Sequence, residues 1–165
     1  MSNYNGVIDE LIKGEWTNPE DKKKYGIPIK KIEIRKTLDG LEKDLIKSLH
    51  SDQRLLMVSD PFTHNAMGSR IFKNIKGKVN VDEYIWENPS SSIEGVEHLR
   101  EKIKDYDGII AVGSGTVSDS IKYVTFLEKK TYSVFATTPM NAYTTGTASI
   151  SFNGVKKSLV AHYAQ

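Results

Sequence analysis

The stretch "GIIAVGSGTVSDSIKYV", residues 108–124, runs from apolar residues into Gly113, Ser114, Gly115 and Thr116 and then into a helical pattern. A strand that ends in glycines and opens a helix presents backbone N–H groups and a positive helix end, the chemistry that holds a phosphate or pyrophosphate. Ser118 stands where the dinucleotide-binding fingerprint has a third small residue, and it is small enough for a helix to pack against a strand. The fingerprint also expects its loop after the first strand and an acid about 20 residues later. Here three strand candidates precede Gly113, and the next strand ends in Ala136, Thr137, Thr138 and Pro139 rather than an acid. The better ribose candidate is Asp60, at the end of the earlier run "RLLMVSD". Asp60, residues 113–116 and Thr137 with Thr138 all fall at carboxyl ends of predicted strands, the edge at which open α/β sheets take ligands.

Each of these residues also has a plainer reading. A glycine pair between strand and helix can be only a tight turn. Asp60 precedes Pro61 and suits a turn or a helix cap. Asp119 suits the first turn of a helix, where a negative charge favours the dipole. Lys122 could share a face with Asp119 or be an ordinary solvated lysine. Thr144, Thr145, Gly146, Thr147 and Ser149 form a small polar patch that could line a pocket or begin a packed element, and Tyr143 and Trp86 read as packing aromatics. His50, His64, His98 and His162 have no ligand spacing, so a metal site within this chain alone is not expected.

The elements that must position these residues follow from periodicity. Alternation around Ile32 and Ile34 predicts a first strand, and Leu41, Leu45, Ile46 and Leu49 give a helix. "RLLMVSD" is a second strand; Ala66, Ile71 and Ile75 form a helix face that Gly77 ends. "VNVDEYIWENPSS" reads as strand and loop, and Ile93, Val96, Leu99 and Ile103 make a helical stripe. "GIIAV" is a buried strand, Val117, Ile121 and Val124 with Phe126 or Leu127 mark the next helix, and "TYSVFATTP" is a strand stopped by Pro139. This alternation predicts an α/β fold, a Rossmann-like three-layer domain with a mainly parallel sheet and helices on both faces. Asn153-Gly154 between two alternating runs adds a C-terminal β-hairpin.

Composition narrows the classes. The chain has 165 residues, 38% hydrophobic and 27% charged, enough for one domain with its own core. Its 23 basic and 21 acidic residues are dispersed, so no basic block points to nucleic acid. There is no cysteine, which excludes disulfides and thiolate metal sites and is compatible with a reducing compartment; the cytoplasm is the default expectation. No leader pattern opens "MSNYNGVIDELIKGEW", and no run approaches the roughly 20 apolar residues of a membrane span.

Three stretches, "VSDPFTHNAMG", "IIAVGSGTVSDSIKYV" and "ATTPMNAYTTGTASISFNGVKKS", resemble in order and spacing the amino-terminal domain of the glycerol-1-phosphate dehydrogenases. These belong to the iron-containing alcohol dehydrogenase and dehydroquinate synthase-like superfamily, and the resemblance covers roughly residues 30 to 165. It implies that residues 1–165 are a dinucleotide-binding domain and that a helical, metal-binding domain would follow in the whole enzyme. By the same resemblance Gly113, Ser114, Gly115 and Thr116 cradle the pyrophosphate of NAD or NADP, Asp60 lies near the adenosine ribose, and Thr137, Thr138 and Met140 lie near the adenine or nicotinamide. Asp119 and Lys122 would face the cleft as catalytic residues, with Asp119 the substrate contact. The family's divalent metal (zinc, iron or nickel) is held by one aspartate of this domain and two histidines of the next; the matching position is Asn141, a weaker neutral ligand.

The implied substrate is a small phosphorylated polyol, with dihydroxyacetone phosphate and glycerol 1-phosphate as the leading pair. A dehydroquinate synthase-like lyase and a non-catalytic nucleotide-binding domain stand as alternatives. This chain alone is expected to turn over little or nothing, no nucleic-acid or membrane partner is expected, and a homodimer stays open.

Overall fold

The run at 108–113 is too uniformly apolar to meet water on either side, and it becomes an inner strand of a parallel sheet. The computed structural model describes residues 4–165, apart from the side chains of residues 4, 5, 141 and 142. A helix α1 (Tyr4–Lys13) and a short antiparallel ribbon of β1 (Trp16–Thr17) and β2 (Lys24–Tyr25) come first. Then follow α2 (Glu42–Leu49), β3 (Leu55–Ser59) and α3 (Pro61–Thr63), which widens into a π-type turn at His64–Gly68 and continues as α4 (Ser69–Ile75). Next are β4 (Val81–Ile85), α5 (Ile93–Ile103), β5 (Gly108–Gly113), α6 (Gly115–Leu127) and β6 (Thr131–Ala136). A 3-10 turn (Asn141–Thr144) leads to the hairpin of β7 (Thr147–Phe152) and β8 (Val155–Val160). No helix among the described residues is long and apolar enough to cross a membrane.

The four main strands are parallel in the order β4-β3-β5-β6. Alternate side chains of β3 and β5 supply two cores. Leu56, Val58, Ile109 and Ala111 pack under α5 and α6 with Val96, Leu99, Ile103, Val117, Ile121 and Val124. Leu55, Met57, Ile110 and Val112 pack under α2 and α4 with Ile46, Ile71 and Ile75. The expected three layers are therefore present, and Gly77 ends α4 with the positive φ of +74° that glycine adopts without strain. The α2–α4 pair is also tied by an Arg70–Glu42 ion pair, and Asn74 Nδ2 donates to Glu42 at 3.2 Å and to Asp39 at 2.9 Å.

The hairpin forms as its turn requires: Asn153 and Gly154 have φ of +50° and +80°, the left-handed pair that matches strand twist. It pairs only with itself as a sheet and lies over α6, with Ser151 N–H donating to Ser91 O at 2.7 Å.

The expected first strand around Ile32 and Ile34 is not formed. That segment runs without ladder bonds beside β6, across a groove of about 790 Å³ that residues 31–39 help to line. Its alternation is too polar to hold it down: Ile29 is buried, but Ile34 is 60% exposed and Lys31, Glu33 and Arg35 pair among themselves. Other groups hold β6 along its length. Gln165 N–H donates to Tyr132 O at 2.9 Å, and His50 Nε2 meets Ser133 Oγ at 2.6 Å.

His50 is buried and His162 is partly buried. Burial pushes the pKa of each below the ordinary value of 6.5, and the nearby Lys30 and Lys122 charges push the same way, although Gln53 partly offsets this for His50. The unfolded chain then binds more protons than the folded one as pH falls through 6.5, so stability is full above that value and declines below it. The melting temperature is expected to fall between about pH 7.5 and about pH 5.5, and a His50→Gln/His162→Gln double variant to show a flatter profile in calorimetric scans.

Candidate functional site

The order β4-β3-β5-β6 sends the chain to one side of β3 and then back to the other. The helix after β3 covers one face of the sheet and the helix after β5 covers the opposite face. Such a reversal leaves a crevice between the carboxyl ends of β3 and β5, the place where open α/β sheets bind ligands. Asp60 follows β3, Gly113 and Ser114 end β5, and Thr137 to Met140 follow β6, so the three predicted clusters are neighbours on this edge.

Asp60 Oδ1 accepts from the N–H groups of Phe62 and Thr63, each at 2.8 Å, and Thr63 Oγ1 returns to the Asp60 N–H at 3.1 Å. This is a capping box on α3, so the helix-cap reading of Asp60 is correct; both amide bonds fall on one carboxylate oxygen. Thr63 Oγ1 also donates to Val112 O at 2.9 Å, which ties the end of β3 to the end of β5 under the crevice. Sequence reasoning missed Thr63, although Asp-x-x-Thr before a helix is the capping-box spacing that could have found it.

At the glycine loop, Gly113 and Gly115 do different things. A Cβ on Gly113 would sit 2.8 Å from Val117 Cβ, so this glycine lets α6 pack tightly on β5. A Cβ on Gly115 would meet only the mobile end of Met140, at 3.3 Å, on the open side. Ser114 is the N-cap of α6, with its carbonyl accepting from Ser118 N–H at 2.9 Å and no cap bond from its own hydroxyl. Thr116 lies in the first turn, where backbone amides lack intrahelical partners. Small residues, an uncommitted hydroxyl and a helix N-terminus fit a bound pyrophosphate.

Asp119 and Lys122 lie one turn apart on the face of α6 that the hairpin covers. Lys122 is wholly buried, which rules out the solvated-lysine reading; its Nζ donates to Thr147 O at 3.0 Å and stands 3.9 Å from Asp119 Oδ1. Asp119 Oδ2 accepts from Ser149 N–H at 3.3 Å. Burial raises the Asp119 pKa and lowers that of Lys122, each partly countered by the other's charge. Partly buried Asp119 and fully buried Lys122 thus each depend on the other's charge. The structure brings Asp119 and Lys122 together under the hairpin, with Lys122 enclosed and Asp119 keeping partial exposure.

Met140 is 43% exposed, and Thr137 N–H donates to Gly113 O at 3.4 Å, which continues the parallel β5–β6 ladder one bond past Ala136. Tyr143, read from sequence as a packing aromatic, is buried and its hydroxyl also donates to Gly113 O, at 2.9 Å. Trp86 is a packing residue, buried and stacked on His98. The Asn141 side chain lies outside the described residues, and among those described no group of His, Cys, Asp or Glu converges to hold a metal.

Residues 33–164 match the family model described as iron-containing alcohol dehydrogenase. The chain belongs to the iron-containing alcohol dehydrogenase family. Solved structures share the fold. The glycerol dehydrogenase of Schizosaccharomyces pombe has a TM-score of 0.66 at 18% identity, covering 76% of this chain and 33% of its own. An iron-containing alcohol dehydrogenase from Thermococcus thioreducens has a TM-score of 0.66 at 17% identity, covering 81% and 43%. Maleylacetate reductase from Agrobacterium tumefaciens has a TM-score of 0.64 at 17% identity, covering 75% and 35%. This iron-containing alcohol dehydrogenase domain therefore spans less than half the length of these neighbours. Curated proteins give no match.

The two glycines of this domain should separate in a stability assay. Gly113→Ala is expected to destabilise by about 1–3 kcal/mol through overpacking against Val117, whereas Gly115→Ala should melt close to the wild type; equal losses in thermal unfolding would contradict the packing geometry.

Proposed function

We propose that this chain is the dinucleotide-binding half of a metal-dependent, NAD(P)-linked dehydrogenase that acts on a small phosphorylated polyol, with dihydroxyacetone phosphate and glycerol 1-phosphate as the leading pair. The observation that carries this reading is the glycine-ended β5 and the N-terminus of α6 beside the β3–β5 crevice, in a chain of this family. Gly113, Ser114, Gly115 and Thr116 hold the pyrophosphate with backbone amides and the Ser114 hydroxyl. Asp60 approaches the adenosine ribose from the β3 end while its Oδ1 caps α3. Thr137, Thr138 and Met140 lie along the base on the β6 side.

When bound, the nicotinamide supplies the hydride donor or acceptor for the substrate carbon. Asp119, with its pKa raised by burial, is the group on this chain suited to hold or move a proton at a substrate oxygen. Lys122 fixes the position and charge of that carboxylate from beneath the hairpin. The described residues do not make up a metal site, and Asn141, at the position that the resemblance matches to the family's aspartate ligand, offers a neutral amide. Asn141 also favours a second reading, a nucleotide-binding domain without turnover.

Calorimetric titration of the chain with NADH and NADPH tests the cradle. Saturable binding is expected, and Gly115→Asp, which places a negative side chain against the pyrophosphate, should weaken it at least tenfold. Unchanged binding by the variant would remove the glycine loop from the site. Turnover of dihydroxyacetone phosphate by this chain alone would contradict the need for a second domain.

A further inference from the structure

The geometry points to Tyr143 as a positioning residue for the glycine loop: its hydroxyl sets the orientation of the Gly113–Ser114 peptide and so aims the Ser114 N–H at a phosphate of the bound nucleotide. This rests on the dinucleotide reading of the loop.

The Gly113 carbonyl is the last of β5, at the peptide where the chain turns from strand into α6. It accepts from the Tyr143 hydroxyl at 2.9 Å and from Thr137 N–H at 3.4 Å. A planar trans peptide directs its C=O and its N–H to opposite sides, and the described residues contain no cis bond. Drawing the Gly113 carbonyl inward toward Tyr143 and the residues after β6 therefore turns the Ser114 N–H the other way.

Ser114 is extended, with φ of −97° and ψ of −162°, and its own carbonyl already accepts from Ser118. Tyr143 is thus placed to fix the first amide of the cradle, ahead of the amides that the helix itself orients.

A buried tyrosine hydroxyl needs a partner, and many carbonyls would serve. This one is shared with the loop after β6: Thr138 Oγ1 lies 3.5 Å from the same hydroxyl. Tyr143 also sits in the 3-10 turn that begins at Asn141, so one hydroxyl links the turn bearing the expected metal position to the loop bearing the expected phosphate site. The β5–β6 ladder reaches this carbonyl only through the longer Thr137 bond, so the Tyr143 hydroxyl is the closer hold on a peptide that glycine leaves conformationally free.

The test is Tyr143→Phe, which keeps the ring and removes only the hydroxyl. Three readouts are taken on wild type and variant: the Ser114 amide signal in a 15N-labelled sample, titrations with the preferred reduced dinucleotide and with adenosine, and the melting temperature. The Ser114 signal should move, dinucleotide affinity should fall about tenfold for the mispositioned amide, and adenosine, which has no phosphate, should bind as it does to the wild type. An unmoved Ser114 signal with unchanged dinucleotide affinity overturns the inference. So does an equal loss for dinucleotide and adenosine together with a lowered melting temperature, which is general loosening. If the wild type binds no dinucleotide, the cofactor reading fails by itself, and the Ser114 signal alone then decides whether Tyr143 orients the peptide.

Discussion

Every residue of β5 is buried, and that constraint organises the molecule. A strand buried on both faces must have a helical layer on each side, and its neighbours β3 and β6 must pair with it in full, because no water is present to satisfy its backbone. Its chain can then reach solvent only at its ends. At the carboxyl end the turn into α6 is so tight that position 113 has no room for a side chain beside Val117. The closeness that builds the core thus also brings the N-terminus of α6 to the sheet edge.

The polar groups around this edge follow the same logic. Thr63 and Tyr143 each place a hydroxyl on a carbonyl at the end of β5, one from the β3 side and one from the β6 side. Both loops that flank the crevice are therefore tied to the central strand. Under the hairpin the balance differs, since Lys122 and Asp119 are both shifted toward their neutral forms by burial, and their attraction only partly offsets that.

Much of this was legible before any coordinates. The stripes at Ile93–Ile103 and Val117–Val124, the apolar runs at 55–59 and 108–113, and the Asn-Gly hairpin turn are local patterns, and each formed where its pattern lay. The strand expected at Ile32 and Ile34 failed because alternation is necessary for an edge strand and does not suffice: only Ile29 there gains a buried place, and β6 is held by the Gln165 amide and the His50 ring. Helix α1 was not foreseen, although Lys13 in its last turn and Gly14 at φ +71° are a stop signal that could have found it. Lys122 could not be distinguished from a surface lysine, because what buries it is a hairpin some 25 residues further on.

The sequence by itself determined the alternation of strands and helices, the glycine-to-helix turn, the family resemblance and the set of polar residues at strand ends. Those are properties of short stretches, set by periodicity, turn chemistry and residue type. Only the tertiary structure decided the strand order that opens a crevice between β3 and β5 and the place of Met140 beside Gly115. It also decided the burial of Lys122 and the hold of Tyr143 on the glycine loop. These depend on which distant segments meet, and a contact across 30 residues leaves no periodic trace in either partner.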